Sequence, residues 1–188
     1  MKDCNYDGQK KLINNIAEQF QVASNKSHAS VILYSEMAAM YKNFNSFYSL
    51  KDFQMLVKEL PMIGGRTHLD QALDVAATKM FSTKNGMREE SIPKLLFVLT
   101  DGVQSPISMK KPLEDVAATL KSRNIHIVVI GSGEADKMQL SPLVKSSSDL
   151  IMVKKFEDAI EHMKKFSEHM CSGRDGIIFM KGCLCFVS

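Results

Sequence analysis

An acidic residue follows an apolar segment near the middle of the chain. The segment Leu95 to Leu99 is apolar throughout and leads into Thr100-Asp101-Gly102. A buried strand that ends in this way places a carboxylate at the carboxyl edge of a sheet, where open α/β sheets bind ligands. Thr67, in the sequence Gly64-Gly65-Arg66-Thr67, offers a hydroxyl from a second loop. A carboxylate and a hydroxyl are oxygen ligands that suit a hard divalent cation such as Mg²⁺.

A second cation motif is incomplete. Asp3-Cys4-Asn5-Tyr6-Asp7-Gly8 matches the opening of a calcium-binding EF-hand loop, but position 12 is Asn14 instead of the bidentate Glu. We therefore expect a polar, frayed start before a first helix, and no calcium site.

Catalytic and nucleotide-binding motifs are also incomplete. Gly131-Ser132-Gly133 is typical of a phosphate-binding turn, but Asp136 stands where the third glycine should be, and its charge would repel a phosphate. His162 and His169 are seven residues apart, too far for a shared metal, and His68 beside Thr67 has no evident partner. No Ser, Cys or Lys lies in a recognisable nucleophile motif, so the sequence predicts no catalysis.

The order of elements predicts the sheet that positions Thr67 and Asp101. Strands that alternate with helices favour a mainly parallel sheet covered on both faces. Helices are predicted at about 8–22, 49–60, from the Gly64-Gly65 turn to 81, 112–122, 135–145 and 156–170, and strands at about 29–34, 39–44, 95–99, 125–130 and 150–153.

An ordered set of segments carries a family resemblance. After the first helix come Asp52 to Pro61, Gly64 to Leu73, Phe97 to Gly102 and Ile127 to Gly133. In this order they resemble the von Willebrand factor type A domain, most closely its collagen VI type, over residues from about 8 to 171. The resemblance implies a doubly wound, mainly parallel sheet flanked by helices.

The resemblance also implies a metal-ion-dependent adhesion site. In the family this site takes ligands from an Asp-x-Ser-x-Ser loop after the first strand, from the Thr of the Gly-Gly loop and from the Asp of the Thr-Asp-Gly loop. Thr67 and Asp101 match the last two, and no residues match the first. Leu69 and Asp70 also depart from the Thr and Gly that the Gly-Gly loop often carries. The resemblance thus implies Mg²⁺ as the ion, and the missing first loop implies that its binding is weak or absent.

The central first strand of the family has no counterpart before the first helix. We therefore divide the chain into an N-terminally incomplete domain, residues 1–171, and an apolar C-terminal tail, residues 172–188. A gap in the sheet would leave buried backbone groups unpaired. Either part of the β-prone tail, Ile177 to Val187, inserts as a parallel central strand, or two chains pair to cover the gap.

By resemblance the function is non-catalytic: a protein-protein interaction or adhesion module of an extracellular matrix protein, with matrix or cell-surface partners bound at the upper edge of the sheet. Two alternatives remain open. One is a truncated or aberrantly spliced fragment without independent function. The other is a nucleotide-binding α/β enzyme, which would need a glycine-rich loop after a first strand.

The composition argues against several other classes of protein. The 188 residues are 45% hydrophobic and 24% charged, with a net charge of +3, as in an ordinary globular domain. The lysines are scattered among acids, which argues against nucleic-acid binding. No apolar region follows Met1, and no stretch of the sequence approaches about 18 apolar residues, so neither a signal peptide nor a membrane span is predicted. An extracellular location is implied by the resemblance alone. The pairing of the four cysteines stays unassigned: Cys4, Cys171, Cys183 and Cys185.

Overall fold

Six strands form one sheet. The computed structural model describes the backbone of residues 3–104, 111–171 and 183–187, and the side chains of residues 5–104 and 111–170. The strands are β1 (His28–Tyr34), β2 (Ala38–Lys42), β3 (Lys94–Thr100), β4 (Ile125–Ser132), β5 (Leu150–Val153) and β6 (Cys183–Val187). Their order is β2-β1-β6-β3-β4-β5. Only the β1–β2 pair is antiparallel among these strands. The predicted α/β class is confirmed.

The helices connect these strands. They are α1 (Asp3–Gln19), α2 (Leu50–Glu59), α3 (Leu69–Val75), α4 (Leu113–Ser122), α5 (Lys137–Leu140) and α6 (Ile160–Cys171). A π-helical turn, Ala76–Met80, continues α3. Short 3-10 turns lie at Thr83–Asn85, Ser141–Leu143, Ser147–Asp149 and Phe156–Ala159.

Several helices differ from prediction at their ends: α3 begins at Leu69 instead of directly after the Gly64-Gly65 turn, and α6 begins at Ile160 after a 3-10 turn. Two further differences have a clear physical reason. The first helix was predicted from about residue 8 after a frayed start, but α1 already begins at Asp3. Asp3 and Asp7 stand near its amino end, where negative charge is favourable. The helix predicted at 135–145 ends as α5 at Leu140. Pro142 lacks a backbone N–H and so cannot continue an α-helix, and a 3-10 turn follows instead.

Each face of the sheet packs on its own set of helices. Along β3, Leu95, Phe97 and Leu99 point to the face covered by α1, α2 and α6. Leu96 and Val98 point to the face covered by α3 and α4. All seven residues of β3 are buried, as expected for a strand covered on both sides. Because helices cover both faces of the sheet, the accessible loops lie at the ends of its strands.

Strand β6 fills the centre of the sheet. Cys183 lies level with His28 of β1 and Lys94 of β3, and Val187 lies level with Ile32 and Val98. The prediction that part of the tail inserts as a parallel central strand is confirmed for these residues, so no second chain is required to cover the gap there. Residues 172–182 and 188, and the side chains of the four cysteines, lie outside the described part. The domain division at residue 171 stays a prediction.

Candidate functional site

Thr67 lies in the loop before α3, and Asp101 directly follows β3. Both lie at the carboxyl edge of the sheet, where the sequence predicts them. Both line one cavity of about 70 Å³. Its walls come from α1, the end of β1, the loop before α3 and the end of β3. The remaining lining residues are Gln9, Tyr34, Ser35, Ile63, Gly64, Gly65, Arg66, Leu99 and Thr100.

The loops that carry Thr67 and Asp101 pack closely together. A Cβ atom on Gly102 would lie 2.9 Å from Thr67 Oγ1, so a larger residue at this position would require Thr67 to shift. The buried side chain of Gln104 then joins the loops: its Oε1 accepts from the Leu69 backbone N–H at 2.7 Å, and its Nε2 donates to Asp70 Oδ1 at 3.2 Å. Gln104 was not predictable from the sequence, because a single amide after a turn carries no pattern.

Asn5 brings the start of α1 to the same edge. Its Nδ2 donates to Asp101 Oδ2 at 3.3 Å, and its Oδ1 accepts from Ser132 Oγ at 3.4 Å. Ser132 Oγ also contacts the Lys154 carbonyl at 3.1 Å. Asn5 reaches Asp101 because α1 begins at Asp3. The expected frayed start was wrong, and the same segment, being helical, cannot wrap a calcium ion as an EF-hand loop does.

Tyr34 spans the cavity floor between β1 and β3. Strand β6 is described as far as Val187, which lies level with Ile32 of β1. The buried Tyr34 hydroxyl donates to the Leu99 carbonyl at 3.2 Å and so satisfies an acceptor of β3. Burial raises the pKa of Tyr34, and the charge of Asp101 raises it further, while a hydrogen bond with Thr100 acts in the opposite direction. The hydroxyl therefore stays protonated at physiological pH.

Gln9 lies between two cavities. Its side chain is 1% exposed, yet neither Nε2 nor Oε1 has a hydrogen-bond partner among the described residues. It lines the Thr67–Asp101 cavity and a neighbouring cavity of about 30 Å³. Only the helical spacing of α1 indicates that Gln9 faces inward, and Gln9 was not among the predicted site residues.

The oxygen ligands that the described residues offer do not fit the divalent cation that the family implies. Such an ion takes six or more oxygen ligands or retains several waters. Here one hydroxyl and one carboxylate come from the predicted pair, and the amide N–H of Asn5 already donates to Asp101 Oδ2. Among the described side chains, no three His, Cys, Asp or Glu residues lie close enough to hold a metal ion.

The other predicted motifs have structural roles. Gly133 has a φ of 59°, and the turn leads into α5, whose first N–H groups are capped by Asp136. Asp136 Oδ1 accepts from the Met138 backbone N–H at 2.8 Å, where a phosphate would otherwise bind. His162 and His169 lie on exposed positions of α6. His68 is buried, and its backbone N–H donates to the Ser35 carbonyl at 3.1 Å.

A mainly parallel sheet covered by helices on both faces is a doubly wound, Rossmann-like α/β fold. The sequence model of the von Willebrand factor type A domain matches residues 1–168, and the chain belongs to this family. The predicted resemblance is confirmed.

Relatives among characterised proteins are matrix proteins. Matrilin-1 of Gallus gallus is 27% identical over 136 residues, covering 72% of this chain and 26% of matrilin-1. The collagen alpha-6(VI) chain of Homo sapiens is 23% identical over 164 residues, covering 87% of this chain and 7% of the collagen. The chain thus spans 26% of the length of matrilin-1 and 7% of that of the collagen chain. They are non-enzymatic, in agreement with the non-catalytic class that the sequence predicts.

Solved structures share the fold. Proximal thread matrix protein 1 from the mussel byssus aligns with a TM-score of 0.81 and 20% identity, over 90% of this chain and 43% of that one. A further structure of the same protein, with a zinc-occupied adhesion motif, aligns with a TM-score of 0.77 and 21% identity, over 89% of this chain and 41% of that one. No helix among the described residues is long and apolar enough to cross a membrane.

Proposed function

We propose that this chain is a protein-interaction or adhesion module of an extracellular matrix protein, which binds its partner at the carboxyl edge of the sheet. The observation that carries the proposal is the convergence of the Thr67 loop, the Asp101 loop and the start of α1 around one cavity. The family match and the matrix relatives support the same class. The same relatives support an extracellular location with matrix or cell-surface partners.

We further propose that binding at this edge does not depend on a divalent cation. Thr67 and Asp101 are the remnant of an incomplete adhesion site. The amide of Asn5 occupies one carboxylate oxygen of Asp101 at 3.3 Å. A cation that retained most of its waters would gain little from these two residues. Partner recognition is then left to hydrogen bonds and packing at the edge.

Surface plasmon resonance with the immobilised chain tests the proposed function. The analytes are purified collagens, fibronectin, laminin and the chain itself, each with and without EDTA. We expect one of the matrix proteins to bind equally well in EDTA, and Asp101→Ala to weaken it by about tenfold, which is about 1.4 kcal/mol. Lys145→Ala is the matched control, because Lys145 is exposed beside Lys94 at the opposite edge.

Two results would contradict the proposal. Equal losses in Asp101→Ala and Lys145→Ala would mean that the carboxyl edge is not the contact face. A folded chain that bound none of these proteins would favour a fragment without independent function.

A further inference from the structure

Strand β2 is an edge of the sheet whose outer side is uncovered. It pairs with β1 on one side, and among the described strands none pairs with its other side. Four of its five residues, from Ala39 to Lys42, are exposed. Met37, which directly precedes the strand, is 78% exposed. An exposed edge strand with apolar side chains is a template for pairing with another strand.

The hydrogen bonds between β1 and β2 indicate which backbone groups face outward. The Ser35 N–H donates to the Met37 carbonyl at 3.1 Å. This bond flanks the pair formed by Tyr34 and Ala38. A pair flanked in this way exchanges no hydrogen bonds of its own, and the two kinds of pair alternate along an antiparallel ladder. The N–H and C=O groups of Ala38 therefore point away from β1, and those of Met40, two residues further along, do so as well.

These outward groups form a regular, unoccupied edge. Among the described residues, no hydrogen bond reaches the outward N–H and C=O groups of Ala38 and Met40. The bulge of β2 lies between Met40 and Lys42, so the segment from Ala38 to Met40 keeps the regular spacing of a strand. Each copy of the chain thus offers two donors and two acceptors along this edge.

The edge is complementary to a second copy of itself. Two β2 strands can lie antiparallel about a two-fold axis at Ala39, which places Ala38 of each copy opposite Met40 of the other. The outward groups then form two pairs with two hydrogen bonds each. Ala39 faces Ala39 of the second copy in a pair without hydrogen bonds, whose Cα atoms approach to about 4.5 Å. A methyl side chain is small enough for this approach.

The same register brings opposite charges together. Glu36 of each copy lies level with Lys42 of the other, since both are three residues from Ala39. Both side chains are exposed, and neither forms a salt bridge among the described residues. Met37 lies level with Tyr41 of the second copy, where its sulfur can contact the aromatic ring. A shift of the register by two residues in either direction would separate Glu36 from Lys42.

We infer that β2 pairs with β2 of a second copy of this chain, which joins two six-stranded sheets into one continuous sheet. The inference goes beyond the proposed function and does not depend on it, because none of residues 36–42 lines the Thr67–Asp101 cavity. A contact along one short strand buries little surface, so we expect a weak dimer.

Sedimentation velocity from micromolar to millimolar concentration tests the pairing. We expect the wild-type chain to shift from monomer to dimer as the concentration rises. Lys42→Glu should weaken the dimer by about tenfold, because like charges then face each other at both ends of the paired segment. The double variant Glu36→Lys with Lys42→Glu exchanges the two charges and should restore the dimer. Lys165→Glu, at an exposed position of α6, is the matched control and should dimerise like the wild-type chain.

Hydrogen exchange of the backbone amides identifies the face that forms the dimer. The amides of Ala38 and Met40 should exchange more slowly in the dimer than in the monomer. The amide of Ala39, which lies in the pair with Leu33 and already bonds to β1, should change little. Circular dichroism checks that each variant is folded.

Three results would overturn the inference. The first is a chain that stays monomeric at millimolar concentration. The second is a dimer in which Lys42→Glu and Lys165→Glu behave alike, or in which the amides of Ala38 and Met40 gain no protection, since the contact would then lie on another face. The third is a monomeric chain whose Ala38 and Met40 amides are protected by an added matrix protein, because β2 would then pair with a strand of that partner.

Discussion

Two buried tyrosines connect the site to the rest of the fold. The Tyr6 hydroxyl donates to the Pro61 carbonyl at 2.7 Å, and the Tyr34 hydroxyl donates to the Leu99 carbonyl at 3.2 Å. Burial raises the pKa of Tyr6 to about 12, with a smaller contribution from Tyr41. Burial raises the pKa of Tyr34 as well. Both hydroxyls act as donors, so the structure needs their neutral forms.

Stability should therefore fall at alkaline pH. A tyrosine in the unfolded chain ionises at about pH 10, below the folded pKa of either residue. The contribution of the neutral hydroxyls is complete below about pH 10 and is lost as the pH rises through the folded pKa values. Urea unfolding between about pH 8 and about pH 12 measures this loss.

Tyr34→Phe separates the contribution of Tyr34 from that of Tyr6. At neutral pH it should cost about 1 to 3 kcal/mol, because the buried Leu99 carbonyl loses its donor. Its stability should also decline less steeply above about pH 10 than that of the wild-type protein. Parallel pH profiles for the two proteins would contradict the assigned role of Tyr34.

Magnesium should bind weakly or not at all. Thr67 and Asp101 provide too few oxygens to replace the waters of the ion. Calorimetric titration with Mg²⁺ should show no saturable heat. A tight single site that disappears in Asp101→Ala would refute this expectation and restore a metal-dependent mode of binding.

At the scale of elements, α2 shows a start signal that the sequence predicts. Ser49 and Asp52 form a capping box: Ser49 Oγ accepts from the Asp52 backbone N–H at 3.2 Å, and Asp52 Oδ2 accepts from the Ser49 backbone N–H at 3.0 Å. Ser49→Ala should cost about 1 kcal/mol. That loss lowers the melting temperature by about 2 to 4 °C for a protein of this size, as thermal unfolding can measure. Ser49→Thr keeps the cap and should change little; an equal loss in both variants would assign the effect to packing.

Periodic patterns predicted the elements, whereas single polar side chains were not predictable. The buried strands β3 and β4 follow from the apolar segments Leu95–Leu99 and Ile125–Ile130, because such segments have few other ways to be buried. Thr67 and Asp101 were placed together because the ends of parallel strands share an edge. The inward position of Gln9 follows only from the helical spacing of α1, whereas the contacts of Gln104 depend on how one loop side chain packs, and no spacing rule contains that information.

At the scale of the whole molecule, the sheet depends on a strand that follows the last helix. Strand β6 pairs with β1 on one side and with β3 on the other. It is the described link between the β2–β1 pair and the β3–β4–β5 group. The cavity of the site is lined by both groups, since Tyr34 belongs to β1 and Asp101 follows β3. The geometry of the candidate site therefore depends on the occupation of the central position.

Removal of β6 should consequently unfold the protein. Deletion of the residues after Cys171 would leave the inner backbone groups of β1 and β3 without partners across five paired positions on each side. Each buried unsatisfied group costs about 1 to 3 kcal/mol, and a whole domain is stable by only about 5 to 15 kcal/mol. Circular dichroism and light scattering should therefore find the truncated chain unfolded or aggregated. A point variant, Cys185→Pro, removes one ladder N–H from the centre of β6 and should destabilise strongly, while Cys185→Val keeps the ladder and serves as its control. A truncated chain that stays monomeric with an unchanged melting temperature would show that β6 is dispensable, and the central strand would then have to be supplied in another way.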